Sequence, residues 1–134
     1  MNVLEKYASN CGVKIKEPHI STSYFPLRED PYIILDNRSK FESNCYDLFG
    51  DVMPYIKPVL EREGISIYSF ENNVKDNIEG AQPFVALFKK QESYLIKHSR
   101  LVVGCDNVTN YFASGLGVPS IGLYAAYPSR CTEP

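Results

Sequence analysis

No two of the four cysteines, Cys11, Cys45, Cys105 and Cys131, form a CxxC pair, and the two histidines, His19 and His98, stand apart from them and from each other. Zinc-ligand spacings are therefore missing and no metal site is expected. Scattered cysteines of this kind point to reduced thiols in a cytoplasmic setting. No apolar run approaches the ~20 residues that cross a bilayer. Glu5 and Asn10 interrupt the N-terminus where a secretion signal would be apolar, so neither a transmembrane segment nor a signal peptide is expected. Charge of one sign is not concentrated anywhere. With 14 basic and 16 acidic residues, a net charge of −2 and no block of like charges, the chain offers no surface suited to nucleic acid or an anionic membrane. Internal repeats and low-complexity tracts are absent too.

What remains is an ordinary globular composition. The 134 residues, 44% hydrophobic and 13% aromatic, hold enough apolar material for one packed domain and are too few for two. Residues 1–31 read as a linker: a short helix over Asn2–Ala8 with Gly12 as its stop, then an extended connector carrying Pro18, Pro26 and Pro31.

From Tyr32 the pattern alternates between strand and helix. "YIILD" (Tyr32–Asp36) is the first strand. A helix follows with Leu48, Phe49, Val52, Met53 and Ile56 at helical spacing, Ser43 or Asn44 as N-cap and Gly64 as stop, and with kinks expected at Pro54 and Pro58. Further strands are read at Ile65–Glu71, Pro83–Phe88, Arg100–Asp106 and from Pro119 into "SIGLYAA", and helices at Gln91–Ser99 and Val108–Leu116. This order predicts an α/β fold: a Rossmann-like, doubly wound parallel sheet with right-handed crossovers, spanning 32–134 as one domain.

In such sheets ligands sit beyond the carboxyl ends of the strands, where helix N-termini point unpaired N–H groups. "GCDNVTNYFASGLGVPSIGLY" puts Asp106, Asn107, Val108 and Thr109 there, at a helix front suited to a phosphate. The same residues also have a purely architectural reading, with Asp106 or Asn107 as N-cap, Gly117 as C-cap and Pro119 as a helix stop. Glu71, ending the second strand, is set to accept hydrogen bonds from ribose hydroxyls, or is an exposed strand-end carboxylate. Tyr124 and Tyr127 read as packing residues, with the sugar end of a site as the alternative.

"HSRLVVGCDNVTNYFASGLGVPSIGLYAAYPSR" resembles the C-terminal half of heptosyltransferase-like glycosyltransferases of GT-B architecture, whose corresponding stretch is of the type "ADLVVGNDTGPMHLAAALGVPVVALFG". "LEKYASNCGVKIKEPHI" is similar to the family's interdomain helix and linker, and "YIILDNRSKFESNCYDLFGDVM" to its first strand and donor loop. The resemblance implies a nucleotide-sugar-binding domain whose parent transfers a sugar from a nucleotide diphosphate sugar to an acceptor. It implies that Asp106 corresponds to the donor-site aspartate, capping the helix and accepting from donor hydroxyls, and Lys40 to the phosphate-binding lysine, with Arg38 a second candidate for that task. The family's acceptor site and base lie on an N-terminal domain that this chain is expected to lack. No catalytic residue and no cofactor are assigned, the chain alone is expected to be inactive, and the domain is expected to be truncated after "SRCTEP".

The chain departs from the family where Asn107, Val108 and Thr109 replace Thr-Gly-Pro and Tyr111 replaces histidine. A β-branched side chain at 108 obstructs the close approach that a glycine allows. Two further readings stay open: a degenerate, non-catalytic interaction module, and a sugar-nucleotide epimerase-like domain, which shares the architecture. A missing partner domain leaves apolar surface uncovered, so self-association is expected.

Overall fold

The computed structural model describes residues 3–14, 16, 19–26, 30–39, 45–46, 48–72, 76–85, 88–105 and 107–124. They form a five-stranded, wholly parallel sheet with flanking helices, a Rossmann-like α/β fold. In chain order the elements are α1 (Val3–Asn10), β1 (Tyr32–Asp36), α2 (Phe49–Arg62), β2 (Ser66–Phe70), β3 (Gln82–Phe84), α3 (Lys89–His98), β4 (Val102–Cys105), α4 (Val108–Gly115) and β5 (Ser120–Leu123). The strands lie in the order β3-β2-β1-β4-β5.

β1 is the central strand and all five of its residues are buried. Its alternation feeds two separate cores, as expected for a strand covered on both faces. Tyr32 and Ile34 join Tyr68, Phe70 and Val102 against Leu95 and Ile96 of α3 and Ala113 of α4. Ile33 and Leu35 join Ile67 against Phe49 and Met53 of α2. Burial raises the Tyr32 phenol well above its ordinary range, with Tyr68 and Tyr94 adding to the effect, so it stays protonated and donates to the Leu95 carbonyl at 2.5 Å.

Two helix stops form as the sequence predicts. Gly64 and Gly117 adopt φ of 70° and 71°, the left-handed conformation in which a side chain is strained. The amide after each closes back onto the helix, Ile65 to the Leu60 carbonyl and Val118 to the Ala113 carbonyl, both at 2.8 Å. These closures turn the chain directly into β2 and β5.

Several boundaries differ from the sequence reading. α2 begins at Phe49, with Leu48 in the N-cap position and no side-chain cap. Ser43 and Asn44 lie outside the described residues; the Tyr46 amide donates to Asn37 Oδ1 at 2.8 Å, which ties Tyr46 to the loop after β1. The helix then runs unbroken through Pro54 and Pro58, both on its exposed side, where water can satisfy the freed carbonyls. β3 is only three residues long and α3 starts at Lys89, earlier than Gln91. β4 begins at Val102, later than Arg100, and β5 ends at Leu123, where it pairs with Cys105, short of the apolar run that continues into Tyr124.

The connector packs rather than standing off. Phe25 meets Phe84 edge to face at 5.2 Å between ring centroids, Tyr24 meets Tyr94 at 5.6 Å, and the Ser23 amide donates to the Lys90 carbonyl at 3.0 Å. On the opposite face α2 leaves β4 and β5 partly open. A groove of about 480 Å³ remains there, lined by apolar and aromatic side chains including Tyr55, Val59, Val103, Ile121 and Leu123.

Candidate functional site

β1 pairs with β2 on one side and with β4 on the other; the connection leaving β1 runs through α2 to β2 on one face of the sheet, and the connection leaving β4 runs through α4 to β5 on the other. That makes the carboxyl ends of β1 and β4 the topological switch point, where open α/β sheets bind ligands. Asp36 stands level with Gly104 in the register, and β4 ends one residue later at Cys105. The front of α4 opens there.

Three side chains rivet that helix front to the strand ends. Asn107 is the N-cap: its Oδ1 accepts from the Thr109 amide at 3.1 Å, taking one of the N–H groups that a helix start leaves without an internal partner. The same carboxamide donates from Nδ2 to the carbonyls of Arg38 at 2.9 Å and Asp36 at 3.4 Å. Thr109 donates its hydroxyl to Asp36 Oδ2. Asn110 donates to the carbonyls of Gly104 at 3.2 Å and Cys105 at 2.8 Å, its own Oδ1 being buried without a partner among the described residues. Val108 differs: 44% of its surface stays exposed at the mouth of the helix.

Behind this front lies a buried ion cluster centred on Arg38, which is 8% exposed. Its Nε donates to Asp36 Oδ1 and its Nη2 to Asp36 Oδ2, both at 2.9 Å, a bidentate pair. Nη1 donates to Glu92 Oε1 of α3 at 2.7 Å and to Asn72 Oδ1 at 3.3 Å. The last donor is shared at 3.4 Å between Glu92 Oε2 and Thr109 Oγ1. The guanidinium also lies 4.8 Å over the Phe70 ring. Burial works against the charged guanidinium, but the hydrogen bonds and charges of Asp36 and Glu92 outweigh it and raise its pKa. Burial likewise pushes the Glu92 carboxyl up, and the bonds from Arg38 and from Lys89, the latter at 2.9 Å, reverse this and hold it below its usual value.

Arg38, Asn107, Val108 and Thr109 thus meet at one sheet edge. Glu71 lies on the same edge beyond β2, with Oε1 accepting from Asn77 at 3.1 Å and Ser69 at 3.4 Å. One strand spacing separates it from β1 and two from β4, about 10 Å in all. Lys40, Asp106 and Tyr127 lie outside the described residues. Asp36, which the sequence marks as the end of the first strand, completes the arrangement with Glu92 and Asn110, which have no site role in the sequence. Glu92 carried a signal: with Leu95 and Ile96 it falls on the buried stripe of α3, where a lone carboxylate calls for a cation. Among the described residues no group of three His, Cys, Asp or Glu side chains is arranged to hold a metal ion.

No protein-family model matches this sequence, and no curated protein sequence does. Solved structures do match. The dodecameric, iron-containing glycosyltransferase TibC of enterotoxigenic E. coli superposes over 83% of this chain with a TM-score of 0.65 at 16% identity, and TibC is also solved in complex with ADP-D-β-D-heptose. E. coli heptosyltransferase WaaC with ADP superposes over 96% with a TM-score of 0.67 at 12% identity. A glycosyl transferase of family 9 from Veillonella parvula superposes over 97% with a TM-score of 0.62 at 15% identity. The chain spans 32% of TibC, 44% of WaaC and 36% of the Veillonella protein. It has the Rossmann-like α/β fold that makes up one portion of these heptosyltransferase-type, GT-B glycosyltransferases.

Proposed function

We propose that this chain is the nucleotide-sugar donor-binding domain of a glycosyltransferase. The observation that carries the reading is the front of α4 at the switch point, riveted open by Asn107, Thr109 and Asn110, in a fold shared with a heptosyltransferase solved with ADP. A helix front with roughly half a positive charge and outward N–H groups is suited to a diphosphate. In this reading Asn107, Val108 and Thr109 form the diphosphate-facing turn, Lys40 supplies a cation opposite it, Asp106 accepts from donor hydroxyls, and Glu71 accepts from the ribose. Transfer breaks the bond between the anomeric carbon and the diphosphate oxygen and forms one to an acceptor oxygen, whose proton goes to a base on another domain. The nucleotide diphosphate leaves against the helix front and the cation. The chain alone is then a binder without turnover, working in a cytoplasmic setting only beside an acceptor domain.

Calorimetry with ADP tests this. Wild type binds, and Lys40→Ala weakens binding by about 1.5–3 kcal/mol, as for a hydrogen bond to an ionised partner. Equal affinities remove Lys40 from the site.

A second reading, a non-catalytic interaction module, is favoured by Val108, whose exposed side chain stands where backbone approach is needed, and by the apolar groove beside β5. Absence of binding by a folded chain supports it.

A further inference from the structure

We infer that Arg38 is a positioning residue for the front of α4, and does not itself hold an anion. The inference rests on the reading of that edge as a diphosphate site. Arg38 has five N–H donors, and each has an acceptor in Asp36, Glu92, Asn72 or Thr109. Reaching a phosphate would mean leaving the buried Asp36 carboxylate uncompensated and Glu92 with Lys89 as its one cation, which is strongly unfavourable. The cluster also carries no net charge to attract a ligand. Asp36 and Glu92 are matched by Arg38 and Lys89.

Its connections instead converge on the helix front. The side chain of Arg38 fixes Asp36, whose Oδ2 holds the Thr109 hydroxyl. Its backbone amide donates to Asp36 Oδ1 at 3.0 Å, curling the loop after β1 so that the Arg38 carbonyl receives Asn107 Nδ2. Asn107 in turn caps the Thr109 amide. Through Glu92 the same cation anchors the first turn of α3, and through Asn72 the exit of β2. One buried guanidinium therefore sets two helix fronts against two strand exits before any ligand arrives.

Hydrogen exchange and calorimetry on the chain test this, using Arg38→Met and the charge-conserving pair Arg38→Gln with Glu92→Gln. In either variant the Thr109 and Phe112 amides should exchange at least tenfold faster, while the Ile67 and Tyr68 amides of β2, away from its exit, keep their wild-type rates. Equal acceleration of β2 and α4 would make Arg38 a general stability residue, and no acceleration would remove the coupling; either overturns the inference. If Arg38→Met does not fold, the double variant and Thr109→Val give the same readout at the Phe112 amide. For ADP, the double variant should bind at least tenfold more weakly with the ionic-strength dependence of Kd unchanged. A weaker dependence would mean that Arg38 touches the anion, and would overturn positioning. If wild type binds no ADP, the donor-site reading fails, and hydrogen exchange alone decides the role of Arg38.

Discussion

The Thr109 hydroxyl donates to Oδ2 of Asp36 at 2.5 Å, joining the first turn of α4 to the last residue of β1 across 73 positions of sequence. Both side chains are almost fully buried, Thr109 at 1% and Asp36 at 0% exposure. Replacing Thr109 by Val keeps the shape and deletes the hydrogen bond to the Asp36 carboxylate, together with the longer contact that the hydroxyl accepts from Arg38 Nη2. Thr109→Val should lower unfolding stability by about 1.5–3 kcal/mol, whereas Thr109→Ser should retain most of it. Urea unfolding of the three proteins measures both differences.

The lowered Glu92 pKa sets a pH dependence. A carboxyl whose folded pKa lies below its unfolded value stabilises the fold above the unfolded value, near 4.5, and loses that contribution as pH falls through the folded value. The stability difference between wild type and Glu92→Gln should therefore be full at neutral pH and shrink below the ordinary carboxylate range. Denaturation midpoints from pH 7 down to the lowest pH at which both proteins fold check the sign. A difference that grows on acidification would be the wrong one.

Much of this architecture is legible in the sequence because its signals are local. The β1 boundaries, Tyr32–Asp36, follow from a short β-branched run between turn residues, and the Gly64 and Gly117 stops follow from backbone preference. Strand ends are less legible. The apolar run at β4 starts at Leu101, before the strand does at Val102, and the run at β5 continues into Tyr124, past the last pair of Cys105 with Leu123; only the partner strands fix those points. The Arg38 cluster is least legible, since Arg38 and Glu92 are 54 positions apart and are brought together by the strand order rather than by any motif. From sequence, Arg38 therefore reads as a loop cation, whereas the structure buries it between two carboxylates.

Among the described residues of the α4 front, Asn107, Thr109 and Asn110 are tethered to the strand ends, whereas the Val108 side chain is exposed. Removing its β-branched side chain opens the approach to the helix N–H groups. Val108→Gly should tighten ADP binding several-fold while costing about 0.5–1 kcal/mol of stability from added backbone freedom. Paired calorimetric and unfolding measurements separate the two effects; weaker binding would show that Val108 contributes contact surface instead.

On the other face, Ile121 is half exposed on an edge strand beside the apolar groove. An uncovered surface of this kind favours association. Sedimentation should show concentration-dependent self-association of wild type, and Ile121→Asp should shift it towards monomer. A wild-type chain that remains monomeric at high concentration would remove this face from consideration.

The central claim is that the front of α4 receives a nucleotide diphosphate. Its most direct test is amide chemical-shift mapping of the chain titrated with ADP. Saturable shifts are expected at Val108, Thr109 and Asn110, at Arg38 and Ser39 in the loop after β1, and at Glu71, with the α2 groove unmoved. Saturable shifts confined to the groove between α2 and β5, or none anywhere in a folded protein, would contradict it.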